Sequence, residues 1–296
     1  MLDVSPSRSL TPGNTMMLLA PAGAAVPGNF QAVNVNAHHH TGLLQQLQRL
    51  RGGVYLRDGA ITHDDLTRDG RHVQEADDLS WHVVSLQEDG SVAACARLQA
   101  HVPDCSPAGL GVWSSALARS AAWSDRLWKA LDADLALARL RNVHYIEFGG
   151  WAVGDEWRGT SMALTTAMAT YALGECVGGF VGVTTATVRH CSSRMMRKLG
   201  GHSFTAEGGA SVPSYFDDRY GCEMELLRFD SKRPTQRYGA RVEDVVRSLL
   251  RMPVVCSDSA GAVFDAAMGR QRRLRSLVGR AERHVPCLGL AGLAPA

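Results

Sequence analysis

Apolar positions along the chain recur at two periods, and the switch between them sorts its middle into helices and strands. Leu43, Leu44, Leu47 and Leu50 fall at helical spacing and predict an amphipathic helix packed on a sheet. Residues 80–86 and 91–100 are β-rich runs joined by Glu88-Asp89-Gly90, and Asp-Gly between such runs predicts a hairpin. Leu127, Leu131, Leu135 and Ala138 mark a second helix. It leads into Tyr145-Ile146-Glu147-Phe148-Gly149-Gly150-Trp151-Ala152-Val153, a strand that carries one carboxylate. Arg158-Gly159-Thr160-Ser161-Met162-Ala163 then makes a small-residue turn that opens a long helix, and residues 180–187 read as a further strand. Together these elements predict an α/β layered domain over residues 41–230.

The flanks read differently. Residues 1–40 are rich in Pro, Gly, Ser and Asn without periodicity, which predicts a mobile arm, with His38-His39-His40 as a solvated run lacking the spacing of a rigid metal site. Residues 231–296 open on a Lys-Arg-Pro-Thr linker, continue in a helix near 242–250 and end in an Arg-rich segment and a Gly-Ala tail. That segment, Arg270-Gln271-Arg272-Arg273-Leu274-Arg275 with Leu277, Val278 and Arg280, is basic and amphipathic. It suits an acidic carrier protein or a membrane surface, and equally a solvated helix face.

Composition adds bounds. A chain of 296 residues, 45% hydrophobic and 20% charged, is of ordinary globular make, and a net charge of +2 gives no reason to expect a nucleic-acid partner. Seven scattered cysteines, none two residues apart from another, predict reduced thiols, a cytoplasmic protein and no structural metal. No apolar run reaches the roughly 18 residues needed to span a bilayer. Residues 16–25 are broken by Pro21 and preceded by Arg8 alone, a poor secretory signal.

The turn after the carboxylate-bearing strand carries the chemistry. The first amides of a helix have no intrahelical partner, and the peptide dipoles add partial positive charge there, so a phosphate can rest on them. Gly159, Ser161 and Ala163 are small enough for an anion to approach the backbone, and Arg158 adds charge, with Thr160 and Met162 completing the candidate cofactor-binding turn. A plain strand-to-helix connection is the alternative reading of such a turn.

At these residues the chain resembles the GNAT superfamily of acyltransferases. Its signature at this helix start is Arg or Gln, two residues, Gly, one residue, then Gly or Ala, and here Arg158 and Ala163 match while Ser161 stands for the Gly. Arg197-Lys198-Leu199-Gly200-Gly201 is similar to the end of the superfamily's last conserved helix, with Met196 where many members carry a Tyr that protonates the leaving thiolate. Over residues 43–229 the order of motifs resembles the autoinducer (acyl-homoserine-lactone) synthases and long-chain N-acyl amino acid synthases. The motifs are Val54-Tyr55-Leu56-Arg57, then Glu75 and Asp78 before Ser80-Trp81-His82, then Ala96-Arg97-Leu98, then the Glu147 strand. Gly150 stands where the autoinducer synthases have Arg, which argues against homoserine lactone chemistry and for an N-acyl amino acid or N-acyl amine product.

The resemblance implies a mixed, largely antiparallel central sheet flanked by helices. It also implies that two strands splay near Val153 and Thr184 and that a pantetheine arm inserts between them. It implies acyl-coenzyme A or an acyl carrier protein as donor, no tightly bound cofactor, and a small amine or amino acid as acceptor. Glu147 is the expected base for the acceptor amine, acting directly or through a water, because alternation puts it on one face with Gly149 and Trp151. The backbone from Trp151 to Val153 is the expected oxyanion site, with Val153 pairing the pantetheine amide. Asp78 and Arg97 are expected to orient the acceptor, Arg97 by gripping a carboxylate. The plainer alternatives are a buried Glu147 contact and an ion pair of Arg97 with Asp78 or Glu75. An acetyl-coenzyme A dependent N-acetyltransferase and a GNAT-shaped module without catalysis stay open.

Overall fold

The computed structural model describes residues 15–206, 209–233, 235 and 238–258. Its strands are β1 Thr15–Leu19, β2 Ala32–Val35, β3 Trp81–Leu86, β4 Val92–His101, β5 His144–Val153, β6 Phe180–Thr187, β7 His202–Ser203, β8 Tyr215–Asp217, β9 Cys222–Asp230 and β10 Pro253–Cys256. The helices are α1 Ala37–Arg57, α2 Ser124–Arg141, α3 Met162–Cys176, α4 Ser192–Lys198 and α5 Gly239–Leu249. One sheet runs in the order β2-β10-β1-β3-β4-β5-β6-β9-β7, with β8 also paired to β9. Pairing is parallel at β1/β10, β10/β2 and β5/β6 and antiparallel elsewhere, so the sheet is mixed and mostly antiparallel.

Local chemistry accounts for the elements that frame the site. Asn36 caps α1 by accepting the His39 N–H at 3.0 Å, and Leu43, Leu44, Leu47 and Val54 bury one face of the helix against the sheet. Asn142 ends α2 in the left-handed region at φ 53°, a conformation Asn tolerates, and the chain turns straight into β5. Helix α3 is Ala/Thr-rich and buried almost all round, and Gly174 admits the Phe180 ring, which would lie 2.5 Å from a Cβ there.

Helices cover both faces. Ile146, Leu98 and Phe180 face α3 and α5, whose Val242, Val245 and Leu249 join the same core. On the other face α2 packs over Tyr145, Val181 and Val183, while α1 packs over Val84, Cys95 and Ala152. Among the described residues no helix is long and apolar enough to cross a membrane.

The flanks depart from the sequence reading. Residues 15–40, expected as part of a mobile arm, supply β1, β2 and the first turn of α1, and His40 is buried with Nε2 2.9 Å from the Ala20 carbonyl. Segments this short, broken by Pro21, Pro27 and several Gly, show no alternation to read, and pairing with distant strands is what orders them. The start of the expected extension is likewise integral: α5 packs on α3, and β10 lies between β1 and β2. The basic 270–280 segment lies outside the described residues.

Candidate functional site

The β5/β6 ladder ends at the rung Phe148↔Thr184, where the Thr184 hydroxyl donates to the Phe148 carbonyl at 2.9 Å. Both strands continue. β5 stays paired to β4 as far as Val153, and β6 stays paired to β9 as far as Thr187, so residues 149–153 and 185–187 border an opening between adjacent strands. Such an opening leaves strand edges that an extended ligand can pair with.

A bulge sits at this point on β5. Cys95 and Arg97 of β4, two residues apart, face Ala152 and Gly149, three apart. Gly150 makes the extra step at φ 59°, and a Cβ there would lie 3.0 Å from Arg97 Cβ and 3.2 Å from Arg51 Nη1. The extra residue overturns the expected alternation. Trp151 packs into the core on the α3 and α5 face, whereas Glu147 points to the α2 face.

At the mouth of the opening stand residues 158–161, all exposed, and the start of α3. Gly159 has φ 79°, with nothing within 4 Å of a Cβ, and the Thr160 hydroxyl accepts the Met162 N–H at 3.2 Å. Thr165 N–H is bonded to the Ser161 carbonyl, so the Ala163 and Leu164 amides belong to the open first turn. Val153 packs beside Met162 on Ala93 and Ala94, which ties the end of β5 to the helix start. Arg158 is held by Asp58, the residue that caps α1, at 2.6 Å, and lies 3.5 Å from Asp155. Arg189, just past β6, donates to the Asp58 carbonyl at 2.6 Å, and His190 Nε2 stands 4.0 Å from its carboxylate. Asp58 therefore joins the two lips of the opening.

Glu147 lies one residue before the last rung, on the face that carries α1 and α2. Its Oε1 accepts the Val112 N–H at 2.8 Å, and its Oε2 accepts the Gly111 N–H at 2.7 Å and His101 Nε2 at 2.9 Å. The carboxylate thus caps the 3₁₀ turn Gly111–Ser114 and holds the end of β4. Gly111 suits the position because a Cβ there would press within 3.4 Å of the carboxylate. His101 Nδ1 faces Cys105 Sγ at 3.8 Å. Sequence reasoning missed His101, Cys105 and the 111–112 amides, whose loop has no periodicity to read.

A buried ion cluster occupies the same face. Arg51, with no exposed surface, places Nη2 and Nη1 at 2.6 and 2.9 Å from the Asp77 carboxylate, and Arg97 Nη1 reaches it at 3.0 Å. Burial disfavours the Asp77 charge, yet the bonds and charge of Arg51, with Gln74 and Arg97, hold the carboxyl well below the usual range. Burial also opposes the Arg51 charge, and Asp77 outweighs it, so its pKa is raised. Two guanidinium groups on one carboxylate leave a surplus positive charge, and Arg51 Nε and Arg97 Nε are buried without a partner. Arg97 Nη2 would lie 3.5 Å from a Cβ on Gly149, so the surplus sits beside the bulge. Asp77, which the sequence reading passed over, takes Arg97, while Asp78 is exposed and Glu75 starts a 3₁₀ turn.

No family model matches the chain, and no curated protein matches it. Solved structures that it is similar to include a CoA-dependent acyl-homoserine lactone synthase, BjaI, with SAM and isopentyl-CoA. That likeness runs at 14% identity over 88% of this chain and 100% of that one, with a TM-score of 0.48. The AHL synthase LasI is similar at 18% identity over 64% and 83%, TM-score 0.41. FeeM, an N-acyl amino acid synthase from uncultured soil microbes, is similar at 11% identity over 76% and 93%, TM-score 0.43. At these identities and scores, what this protein does has to be read from its own side chains.

Proposed function

We propose that this protein is an N-acyltransferase that moves an acyl group, long-chain by preference, from a pantetheine thioester to the amine of an amino acid or related small amine. The observation that carries the reading is the parting of β5 from β6, with the open first turn of α3 at its mouth. A pantetheine arm laid along residues 149–153 pairs with backbone that β6 leaves free, Val153 taking its amide. Its phosphate then meets Arg158, Gly159, Thr160 and Ser161 and the first amides of α3 at Met162 and Ala163. Coenzyme A and an acyl carrier protein both present that arm, and both are donors on this reading.

The acceptor comes from the opposite side, over the Glu147 face. The surplus charge of Arg51 and Arg97 over Asp77 favours an acceptor bearing a carboxylate, Arg97 taking it two-pronged and exposed Asp78 lying at the rim. A protonated amine must lose a proton before it attacks the carbonyl, and on this reading Glu147 is the carboxylate that takes it. Because both its oxygens already accept hydrogen bonds, that proton enters by exchange for one donor or through a water. Backbone N–H groups of β5 from Trp151 to Val153 stabilise the oxyanion on this reading.

Thiol release from octanoyl-, palmitoyl- and acetyl-coenzyme A and from an acylated carrier protein, across a panel of amines, tests the proposal. Long-chain turnover with an amino acid is the expected result. Acetyl preference would make the protein an N-acetyltransferase, and no turnover with any pair would leave a binding module.

A further inference from the structure

We propose that Cys105 is a nucleophile that accepts an acyl group from a thioester, with His101 as its base and Glu147 as the carboxylate that orients His101. The proposal rests on the thioester reading of the cleft and adds to it a covalent acyl-enzyme. A carboxylate only accepts hydrogen bonds, so the contact of Glu147 Oε2 with His101 Nε2 at 2.9 Å places the proton on Nε2 and leaves Nδ1 as the acceptor. Nδ1 is the atom that faces Cys105 Sγ at 3.8 Å. Nucleophile, base and orienting acid thus stand in line, the arrangement by which a weak nucleophile is activated.

The line is rigid. The side chains of His101 and Glu147 are 6% and 13% exposed, and the Gly111 and Val112 amides pin the carboxylate at its far side. Cys105 is partly exposed, and Gly109, where a Cβ would come within 3.1 Å of Sγ, lets its backbone pack closely on one side of the sulfur. Burial, with Glu147 and Asp104 nearby, pushes the thiol up, and the Ser106 carbonyl at 3.3 Å is a second acceptor for its hydrogen. The resting group is therefore a thiol, and a base has to take its proton as it attacks.

The step balances without an oxidant or co-reactant. The S–H proton passes to His101 Nδ1, the sulfur bonds to the thioester carbonyl carbon, and the carbon–sulfur bond to pantetheine breaks. The leaving sulfur then takes the proton back from the imidazolium.

The full chain is incubated with octanoyl-coenzyme A without an amine, and its tryptic peptides are mapped by mass. We expect one octanoyl group on Cys105, released by hydroxylamine, absent in Cys105→Ala, and formed about 100-fold more slowly in His101→Gln. The adduct on the wild-type chain is a readout that needs no variant to fold. Two results overturn the proposal: no adduct on Cys105, or an adduct formed as fast in a folded His101→Gln variant. Amine acylation at the wild-type rate in Cys105→Ala, with no adduct, sinks the acyl-enzyme while the cleft reading stands. Iodoacetamide separates the remaining case: alkylation of Cys105 that depends on His101, in a chain consuming no thioester, keeps the activated thiol and refutes its acylation.

Discussion

Asp58 at the end of α1 binds Arg158 at 2.6 Å and receives Arg189 on its backbone carbonyl, so one residue spans the two lips of the strand opening. Its carboxylate occupies the guanidinium that the proposed donor phosphate would use. Asp58→Asn is expected to tighten coenzyme A binding several-fold by calorimetry, with a gain that shrinks as salt is raised. Because Arg158 is 40% exposed, stability should move by less than about 1 kcal/mol. Unchanged affinity would separate Arg158 from the donor site, and Arg158→Ala should weaken binding.

Glu147→Gln is expected to lose about 100-fold or more in kcat, since an amide cannot take the proton of the amine. It should also loosen the Gly111–Ser114 turn, because an amide NH2 would confront N–H donors that now find carboxylate oxygens. That mismatch is worth roughly 1–3 kcal/mol, readable as a lowered urea midpoint. Wild-type turnover in the variant would remove Glu147 from both roles argued for it.

Asp77→Asn leaves Arg51 and Arg97 facing each other without a countercharge in a buried site. A loss of about 3–5 kcal/mol in unfolding free energy is expected. A variant as stable as wild type would mean that solvent reaches the cluster.

Gly150→Ala should be costly for a backbone reason. It forces a side chain to φ 59° with its Cβ 3.0 Å from Arg97 Cβ, which predicts a loss of about 1–3 kcal/mol together with impaired thioester turnover. Wild-type stability by thermal melting would show that the bulge can relax.

Stability should fall on mild acidification. His82 is buried and its Nε2 lies 2.8 Å from the Asp77 carbonyl, and burial, reinforced by Arg51 and Arg97, pushes its pKa down to about 4. The folded value lies below the unfolded one of about 6.5, so the contribution is intact above that pH and is lost as pH falls toward 4. At pH 5 the loss from His82 alone is about 2 kcal/mol. His72, likewise lowered to about 4 by burial, acts in the same direction. A His82→Gln variant whose urea midpoint drops as steeply as wild type between pH 7 and pH 5 would remove His82 as the cause.

Elements built on local patterns were legible. The hairpin turning at Gly90 stands where the Asp-Gly signal between two β-rich runs puts it, the Leu43 to Leu50 helix stands where periodicity puts it, and a helix forms near Val242 as expected, because each of these signals is local in sequence. What escaped depended on partners distant in sequence. Nothing around Trp151 announces that Gly150 takes an extra step and sends that side chain through the sheet. Asp77 and Asp78 are indistinguishable until a fully buried Arg51 selects one of them. The partners of Glu147 come from a turn that carries no periodic pattern in the sequence.

Strand β10 lies between β1 and β2 and pairs in parallel with both. During synthesis the ribosome delivers β1 and β2 long before the residues that join them, so that edge of the protein stays unfinished until nearly all of the described chain has emerged. For that interval β1 and β2 offer unpaired backbone to any neighbouring nascent chain, which makes this edge the place where misassembly would start.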